Sequence, residues 1–202
     1  MIPYLSEKIT SSFIANNIIQ EDDYKLYLYS FEILLSTVLN VFAICIIAVA
    51  TKTVLETLCY FIAFIPLRQF AGGYHAKNHI RCFVILMVVY IGFLMLINVS
   101  PMGHSDLVVF ISVFISLIIV FFLAPVADIN KPLNDKEIIR FRYKSRLLIT
   151  VYSVGIILIN LLITDSVVVM SLALGVLSIA LSLITGKVKN MIENHSLSNG
   201  KS

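Results

Sequence analysis

Of the 202 residues in the chain, 59% are apolar and only 13% are charged, and the formal net charge is +3. Soluble domains are about one quarter charged, so this composition excludes an ordinary soluble domain. We therefore expect an all-α, polytopic integral membrane protein that is surrounded by a lipid bilayer and has no nucleic-acid partner.

The first 29 residues form a polar leader of mixed charge. No basic start runs into a short apolar core, so we expect no cleavable signal peptide. Ile2, Leu5, Ile9 and Phe13 recur at helical spacing, which predicts an amphipathic helix at the cytoplasmic surface of the membrane. A weakly ordered leader is the alternative.

Six apolar runs follow the leader, and most are near the ~20 residues that cross a bilayer as an α-helix. The second run has fourteen residues and holds Glu56 near its start, so a re-entrant or interfacial segment competes there with a full crossing. The prediction is therefore about six transmembrane or re-entrant helices. The runs cover 31–50, 54–67, 82–98, 107–124, 147–163 and 167–184.

The orientation follows from Lys and Arg, which are retained on the cytoplasmic side of the membrane in short loops. With six crossings and the N-terminus inside, Lys52 is the one basic residue of the fifteen that lies outside. Four crossings plus a re-entrant pair would keep the same orientation. We predict a single membrane domain with a leader at 1–29, a helical bundle at 30–186 and a cytoplasmic tail at 187–202.

Residues 125–146, PVADINKPLNDKEIIRFRYKSR, form a basic connection between the fourth and fifth runs. Lys131 and Pro132 predict a turn, and Asn134 or Asp135 is placed to cap a basic helix that continues into the fifth run. The positive charge suits either anionic lipid, which would anchor the loop, or an acidic peptide, which would dock on it.

The three cysteines lie in different surroundings. Cys45 and Cys59 are inside apolar runs, where a thiol behaves as a small hydrophobic side chain, so we interpret both as packing residues. Cys82 opens the third run beside Arg81 and near Lys77, and positive charge there favours the thiolate that acts as a nucleophile. A reducing cytoplasm argues against a structural disulfide.

A thiolate nucleophile needs a base, and His75 and His79 are the candidates. On one continuous helix His75 would stand about 10 Å from Cys82, so this pairing requires a bend in the chain. Gly72 and Gly73 permit a left-handed turn just before His75. His79 precedes Cys82 by three residues and would reach it without a bend. The residues alone leave the choice of base open.

A metal site is the competing chemistry, because His75 and His79 have i, i+4 spacing and Cys82 would be a third ligand. However, Ala76 stands where metalloprotease helices have a Glu, and no carboxylate lies within residues 68–82. We therefore expect neither a metal nor another cofactor.

The stretch RQFAGGYHAKNHIRC, together with the six runs and a later KPL tract at 131–133, resembles the accessory gene regulator protein B family of membrane cysteine endopeptidases. The resemblance covers nearly the whole chain. It implies that Cys82 is the nucleophile and that His75, not His79, is its partner. It also implies a homodimer in the bacterial cell membrane. The residues that match the family motif are Arg68, Gly72, Gly73, His75 and Cys82.

The resemblance further implies a role in quorum sensing, in which a small amphipathic propeptide with an acidic C-terminal tail is the substrate. Cys82 would attack a peptide bond near the tail, release the tail and retain the remaining peptide as a thioester. An internal Cys or Ser of the peptide would then close a thiolactone or lactone ring, which requires a site that keeps water away. The active site is expected on the cytoplasmic side, where the propeptide is made.

Other residues are expected to support this chemistry. Gln69 or Asn78 would orient the imidazole, and Arg68 or the N–H groups near Gly73 would stabilise the oxyanion, with a structural role for Arg68 as the alternative. Basic residues in the 125–146 loop would hold the acidic tail, namely Lys131, Arg140, Arg142, Lys144 and Arg146.

The alternative function is a small multi-span peptide exporter or transporter without proteolytic activity. Six spans and a basic cytoplasmic mouth suit it, but the polar or broken positions typical of transport sites are few. The main ones are Asn40, Asn160, Gly155 and Gly175. A membrane scaffold without chemistry would leave the spacing of the Gly pair, the His and the Cys unexplained.

Overall fold

The computed structural model describes residues 2–74, 79–99, 105–127, 133–163 and 166–199, and these ranges contain seven α-helices and no strand. The all-α prediction is confirmed. A short 3-10 turn, Glu21–Asp23, leads into the second helix. The helices are α1 (Ile2–Ala15), α2 (Tyr24–Ala50), α3 (Val54–Ala71), α4 (His79–Val99), α5 (Ser105–Leu123), α6 (Asp135–Leu162) and α7 (Val167–Asn199).

Six of the helices described, α2 to α7, are long and apolar enough to cross a membrane, as predicted for a multi-pass protein. The helix α3 is longer than the second apolar run from which it was predicted, because it continues past Leu67 through the polar residues Arg68 and Gln69. Its 18 residues extend about 27 Å at ~1.5 Å per residue, which approaches the ~30 Å of a hydrocarbon core.

The chain divides into two compact units. The first contains α1, α2 and the beginning of α4 as far as Met87, and the second contains α3, the rest of α4 from Val88, and α5 to α7. The organisation as a single membrane domain, with the boundaries proposed from the sequence, stays a prediction.

In the first unit, α1 packs along α2, and Phe13 stacks on Phe31 with ring centroids 5.4 Å apart. The predicted leader helix is confirmed, but its buried residues are Ser6 and Thr10, whereas Leu5 on the predicted apolar stripe is exposed. The Thr10 hydroxyl donates to the carbonyl of Ser6 at 2.8 Å. Small side chains whose hydroxyls bond to their own helix allow two helices to approach closely.

In the second unit, α7 occupies the centre and packs against α3, α5 and α6. Buried residues make up 56% of its apolar segment, against 17–28% for the other five candidate spans. A Cβ at Gly175 would lie 2.7 Å from the Tyr60 carbonyl oxygen, so α3 and α7 pack backbone to backbone at this point. Close approach at a small residue is a common way for helices to associate inside a bilayer.

In the same unit, the second part of α4 is held on α3 by polar and aromatic contacts. The hydroxyls of Thr57 and Tyr90 are hydrogen-bonded at 2.8 Å, and both side chains are buried. The ring centroids of Tyr60 and Phe93 are 4.5 Å apart. Large apolar side chains such as Phe122 and Leu162 are instead exposed, as expected for a surface that faces lipid rather than water.

Candidate active site

The turn between α3 and the segment that carries His75 has the left-handed backbone that the sequence predicted. Gly72 has φ 75° and Gly73 has φ 127°, values that favour glycine. The N–H of Gly72 donates to the Arg68 carbonyl at 3.1 Å and closes the last turn of α3. A Cβ at Gly72 would collide with the carbonyl group of Val126, so the position excludes any side chain.

The half-buried side chain of Arg68 holds this turn from inside. Its Nη1 donates to the Gly72 carbonyl oxygen at 2.9 Å and also to Ser182 Oγ. Its Nη2 donates to the carbonyl oxygen of Tyr74. Arg68 therefore links α3, the turn that follows it and α7.

The backbone of the turn is bonded to two further segments. Gly73 N–H donates to the Val126 carbonyl at 3.3 Å, and Val126 N–H donates to the Ala71 carbonyl at 2.9 Å. Tyr74 N–H donates to the Ser182 carbonyl at 2.9 Å and to Ser182 Oγ at 3.1 Å. The N–H groups of Gly72, Gly73 and Tyr74 are therefore engaged within the protein. This geometry favours a supporting role for the turn over the oxyanion role considered for these groups.

Sequence reasoning missed the face of α7 on which the turn rests. A Cβ at Gly186 would lie 2.7 Å from the carbonyl carbon of Gly73 and 2.8 Å from the nitrogen of Tyr74. One turn further along, Asn190 Nδ2 donates to the Ala127 carbonyl at 2.8 Å. Ser182, Gly186 and Asn190 recur every four residues. The signal that could have revealed this face is its pair of small residues in an apolar helix, which marks close helix packing.

Cys82 lies in the first unit, on the first turn of α4, and its side chain is exposed. His79 is the first residue of the same helix, three residues before Cys82. The described part of the structure includes the His79 backbone but not its side chain. His75 and Asn78 also lie outside them, so the pairing of His75 with Cys82 stays a prediction. Gln69, at the end of α3, is exposed.

The other two cysteines differ from each other. Cys59 is buried in α3, which confirms its interpretation as a packing residue. Cys45 is exposed on α2, so that interpretation is wrong for Cys45. The residues buried along α2 are Ser36, Asn40, Ile44 and Ala48, one every four positions. Cys45 is adjacent to Ile44 in sequence but about 100° away around the helix.

The basic helix after residue 132 begins as predicted. Asn134 caps α6, because its side chain accepts from Glu137 N–H at 2.9 Å while the Glu137 carboxylate accepts from Asn134 N–H at 3.0 Å. This reciprocal pair is a capping box. Lys131, predicted to bind substrate, lies outside the described residues.

The four predicted substrate-binding residues on α6 divide into two pairs. Arg140 and Arg142 are exposed. Lys144 Nζ lies 4.6 Å from the centre of the Phe70 ring, while Arg146 Nε donates to the Phe121 carbonyl at 3.1 Å and its guanidinium stacks on the ring of that residue. Lys144 and Arg146 thus already contact the bundle, and Arg140 and Arg142 present their charge at its surface.

Comparison with known proteins identifies the chain at the level of its family. The family described as accessory gene regulator B matches residues 6–185, a range that includes the turn, Cys82 and the basic helix. No curated protein and no solved structure matches the chain. The family match supports a role in the accessory gene regulator quorum-sensing system. Because the match covers most of its length, this protein belongs to the accessory gene regulator B family.

Proposed function

We propose that the protein is a membrane-embedded cysteine endopeptidase that removes the acidic C-terminal part of a small propeptide and supports cyclisation of the remainder. The observation that carries this proposal is the turn at Gly72 and Gly73. In a member of this family, Arg68 holds that turn immediately before His75, and Cys82 stands exposed on the first turn of α4. Thiol catalysis requires a positioned base and an accessible nucleophile, and the held turn and the exposed Cys82 support these two roles.

The proposed reaction has two acyl transfers. The Cys82 thiolate attacks the carbonyl carbon of the scissile peptide bond while His75 holds the thiol proton. When the carbon–nitrogen bond breaks, His75 returns this proton to the departing amine, and the acidic tail leaves. The thiol or hydroxyl of an internal Cys or Ser in the peptide then attacks the Cys82 thioester. This second step forms a thiolactone or lactone ring and restores the Cys82 thiol.

The basic end of α6 supplies the charge to hold the acidic tail. Arg140 and Arg142 are the members of the predicted set whose side chains are exposed on α6, and Lys131 precedes them in the sequence. Lys144 and Arg146, which stack on Phe70 and Phe121, contribute mainly to packing under this proposal. Opposite charge steers a propeptide towards the site and sets its register.

The distribution of Lys and Arg supports a cytoplasmic active site, because the turn, the start of α4 and the basic helix all fall on the side of the membrane that retains positive charge. The propeptide would meet the enzyme there without crossing the bilayer. A homodimer in the bacterial cell membrane is part of the same proposal.

Intact-mass analysis of the purified enzyme in lipid, incubated with propeptide, tests this function. We expect an adduct on Cys82 that carries the N-terminal part of the propeptide and is removed by hydroxylamine, as a thioester is. Cys82→Ala should insert normally and release no tail. Normal cleavage by that variant would rule out Cys82 as the nucleophile and with it the proposed chemistry. If the wild type releases no tail, the peptide-exporter alternative is favoured instead.

A further inference from the structure

We propose that Ser182, on α7, is a positioning residue that acts through Arg68 and the backbone of Tyr74 to fix the chain at the point where it enters His75. The inference rests on the proposed function, since it assigns His75 the role of base. Ser182 belongs to the central helix of the second unit, about one hundred positions along the chain from the residues that it contacts.

The hydroxyl oxygen of Ser182 is shared by two donors. It accepts from Arg68 Nη1 and, at 3.1 Å, from the N–H of Tyr74. The same guanidinium donates through Nη2 to the carbonyl oxygen of Tyr74. Both polar backbone groups of Tyr74 are therefore held, the N–H by Ser182 and the carbonyl by Arg68.

Holding the Tyr74 carbonyl constrains the next residue through covalent geometry. That carbonyl belongs to the peptide unit that joins Tyr74 to His75 in the sequence, and a peptide unit is planar. Fixing its oxygen limits the directions in which the chain can enter His75. The central helix α7, the most buried of the candidate spans, contributes to this constraint through Ser182. The Ser182 backbone carbonyl accepts from Tyr74 N–H at 2.9 Å, and the Ser182 hydroxyl holds Arg68, whose Nη2 donates to the Tyr74 carbonyl.

The turn and α7 pack closely on either side of this hydroxyl. A Cβ at Gly73 would lie 2.6 Å from Ser182 Oγ, and a Cβ at Gly186 would press on Gly73 and Tyr74. Two glycines and one small hydroxyl residue therefore bring the turn and α7 into direct contact. Close packing by itself would need only a small side chain at position 182. The hydroxyl is needed because it accepts from Arg68 Nη1 and from the N–H of Tyr74.

The test compares Ser182→Thr with Ser182→Val, which have nearly the same shape and differ in the hydroxyl. Enzyme in lipid, carrying Cys45→Ala and Cys59→Ala so that Cys82 is its one thiol, is mixed with saturating propeptide. The Cys82 thioester is followed in a single turnover. The amplitude counts active molecules, and the rate constant reports the chemistry of each one.

We expect Ser182→Val to lower the acylation rate constant roughly ten- to hundredfold, the size of effect that follows from a slightly misplaced catalytic group. The amplitude and the half-saturating propeptide concentration should be unchanged. Ser182→Thr should restore the rate to within about threefold. Thr185→Val is the matched control, because Thr185 is exposed on the same helix and its hydroxyl donates to carbonyls of that helix, at 3.0 Å to Leu181.

A second arm asks whether Ser182 acts through His75. In a His75→Ala background the residual alkylation rate of Cys82 by a small thiol reagent should be the same with Ser or Val at position 182, because groups that act as one unit are not additive. The inference would be overturned if the Thr and Val variants acylate at equal rates or if Ser182→Val lowers the amplitude alone. It would also be overturned if Ser182→Val lowers the alkylation rate of Cys82 as much without His75 as with it. Failure of the wild type to form any propeptide thioester would instead refute the proposed function, and the inference with it.

Discussion

The end of α3 and the start of α4 are held in opposite ways. At the end of α3, Ala71 is buried, and the next three residues are bonded to Arg68, Val126 and Ser182. At the start of α4, all six residues from 80 to 85 are exposed, Cys82 among them. The fold thus fixes the segment that leads to His75 and leaves the thiol accessible.

This difference suits the two roles proposed. A base is effective only when it is held in one direction, because small displacements lower the rate steeply. A nucleophile that must accept a peptide and then release it to a second attacking group needs access from outside. The predictions below test this division of roles, starting with the largest expected effect.

Replacing the two histidines one at a time gives the largest contrast. We expect His75→Ala to abolish tail release and His79→Ala to keep substantial activity, because a thiol mechanism needs one base. Tail release is measured on enzyme in lipid, with and without a strong chelator. A metal site built from His75, His79 and Cys82 would lose activity with either substitution and with the chelator. That pattern would replace the thiol mechanism with metal chemistry.

Adding one methyl group to the turn should disturb its geometry. Gly73→Ala places a Cβ at φ 127° and against Arg68 Nη1 and Ser182 Oγ, so we expect a roughly hundredfold loss of acylation rate. Gly155→Ala is the control, because its Cβ would meet nothing within 4 Å. Both variants are compared for insertion and for single-turnover rate. If Gly73→Ala acylates normally, the turn does not direct the base.

The features that the sequence predicted depend on neighbouring residues. The turn at Gly72 and Gly73 follows from the backbone freedom of glycine, and the cap at Asn134 follows from a pattern only four residues long. Both could be identified because the groups that decide them lie within one turn of chain.

The features that the sequence did not predict depend on distant residues. Ser182 bonds to groups more than one hundred positions away, and no local pattern carries that information. The exposure of Cys45 was missed for a related reason, since α2 is apolar around much of its circumference and its sequence does not reveal which face packs. In a water-soluble protein, the outer face of a helix is marked by polar residues. The outer face of a membrane helix is apolar because it contacts lipid, so it cannot be told from the packed face in this way.

The two pairs of basic residues on α6 should separate binding from packing. Changing Arg140 and Arg142 together to Gln should weaken propeptide binding roughly tenfold, since exposed ion pairs contribute up to about 1 kcal/mol each. The loss should shrink as salt rises, because charges are screened beyond ~8 Å at physiological ionic strength. Affinity is measured with Cys82→Ala enzyme so that the propeptide stays intact.

Changing Lys144 and Arg146 to Gln should mainly lower stability, because both side chains lie over aromatic rings. If both double variants lose the same affinity and the losses do not change with salt concentration, the acidic tail binds to another surface.

The two cysteines outside the site should show the smallest effects and should still differ from each other. Cys59 is buried in α3, on the scaffold that ends in the held turn, so Cys59→Ala removes packed atoms and should cost about 1 kcal/mol of stability. Cys45 is exposed on α2, and Cys45→Ala should stay within about 0.5 kcal/mol, as surface substitutions do. Thermal unfolding in one lipid or detergent measures both. Acylation of Cys82 should remain near the wild-type rate in each variant, because neither thiol takes part in the reaction. A larger loss for Cys45→Ala than for Cys59→Ala would mean that the exposed side of α2 is covered in the membrane by protein and not by lipid.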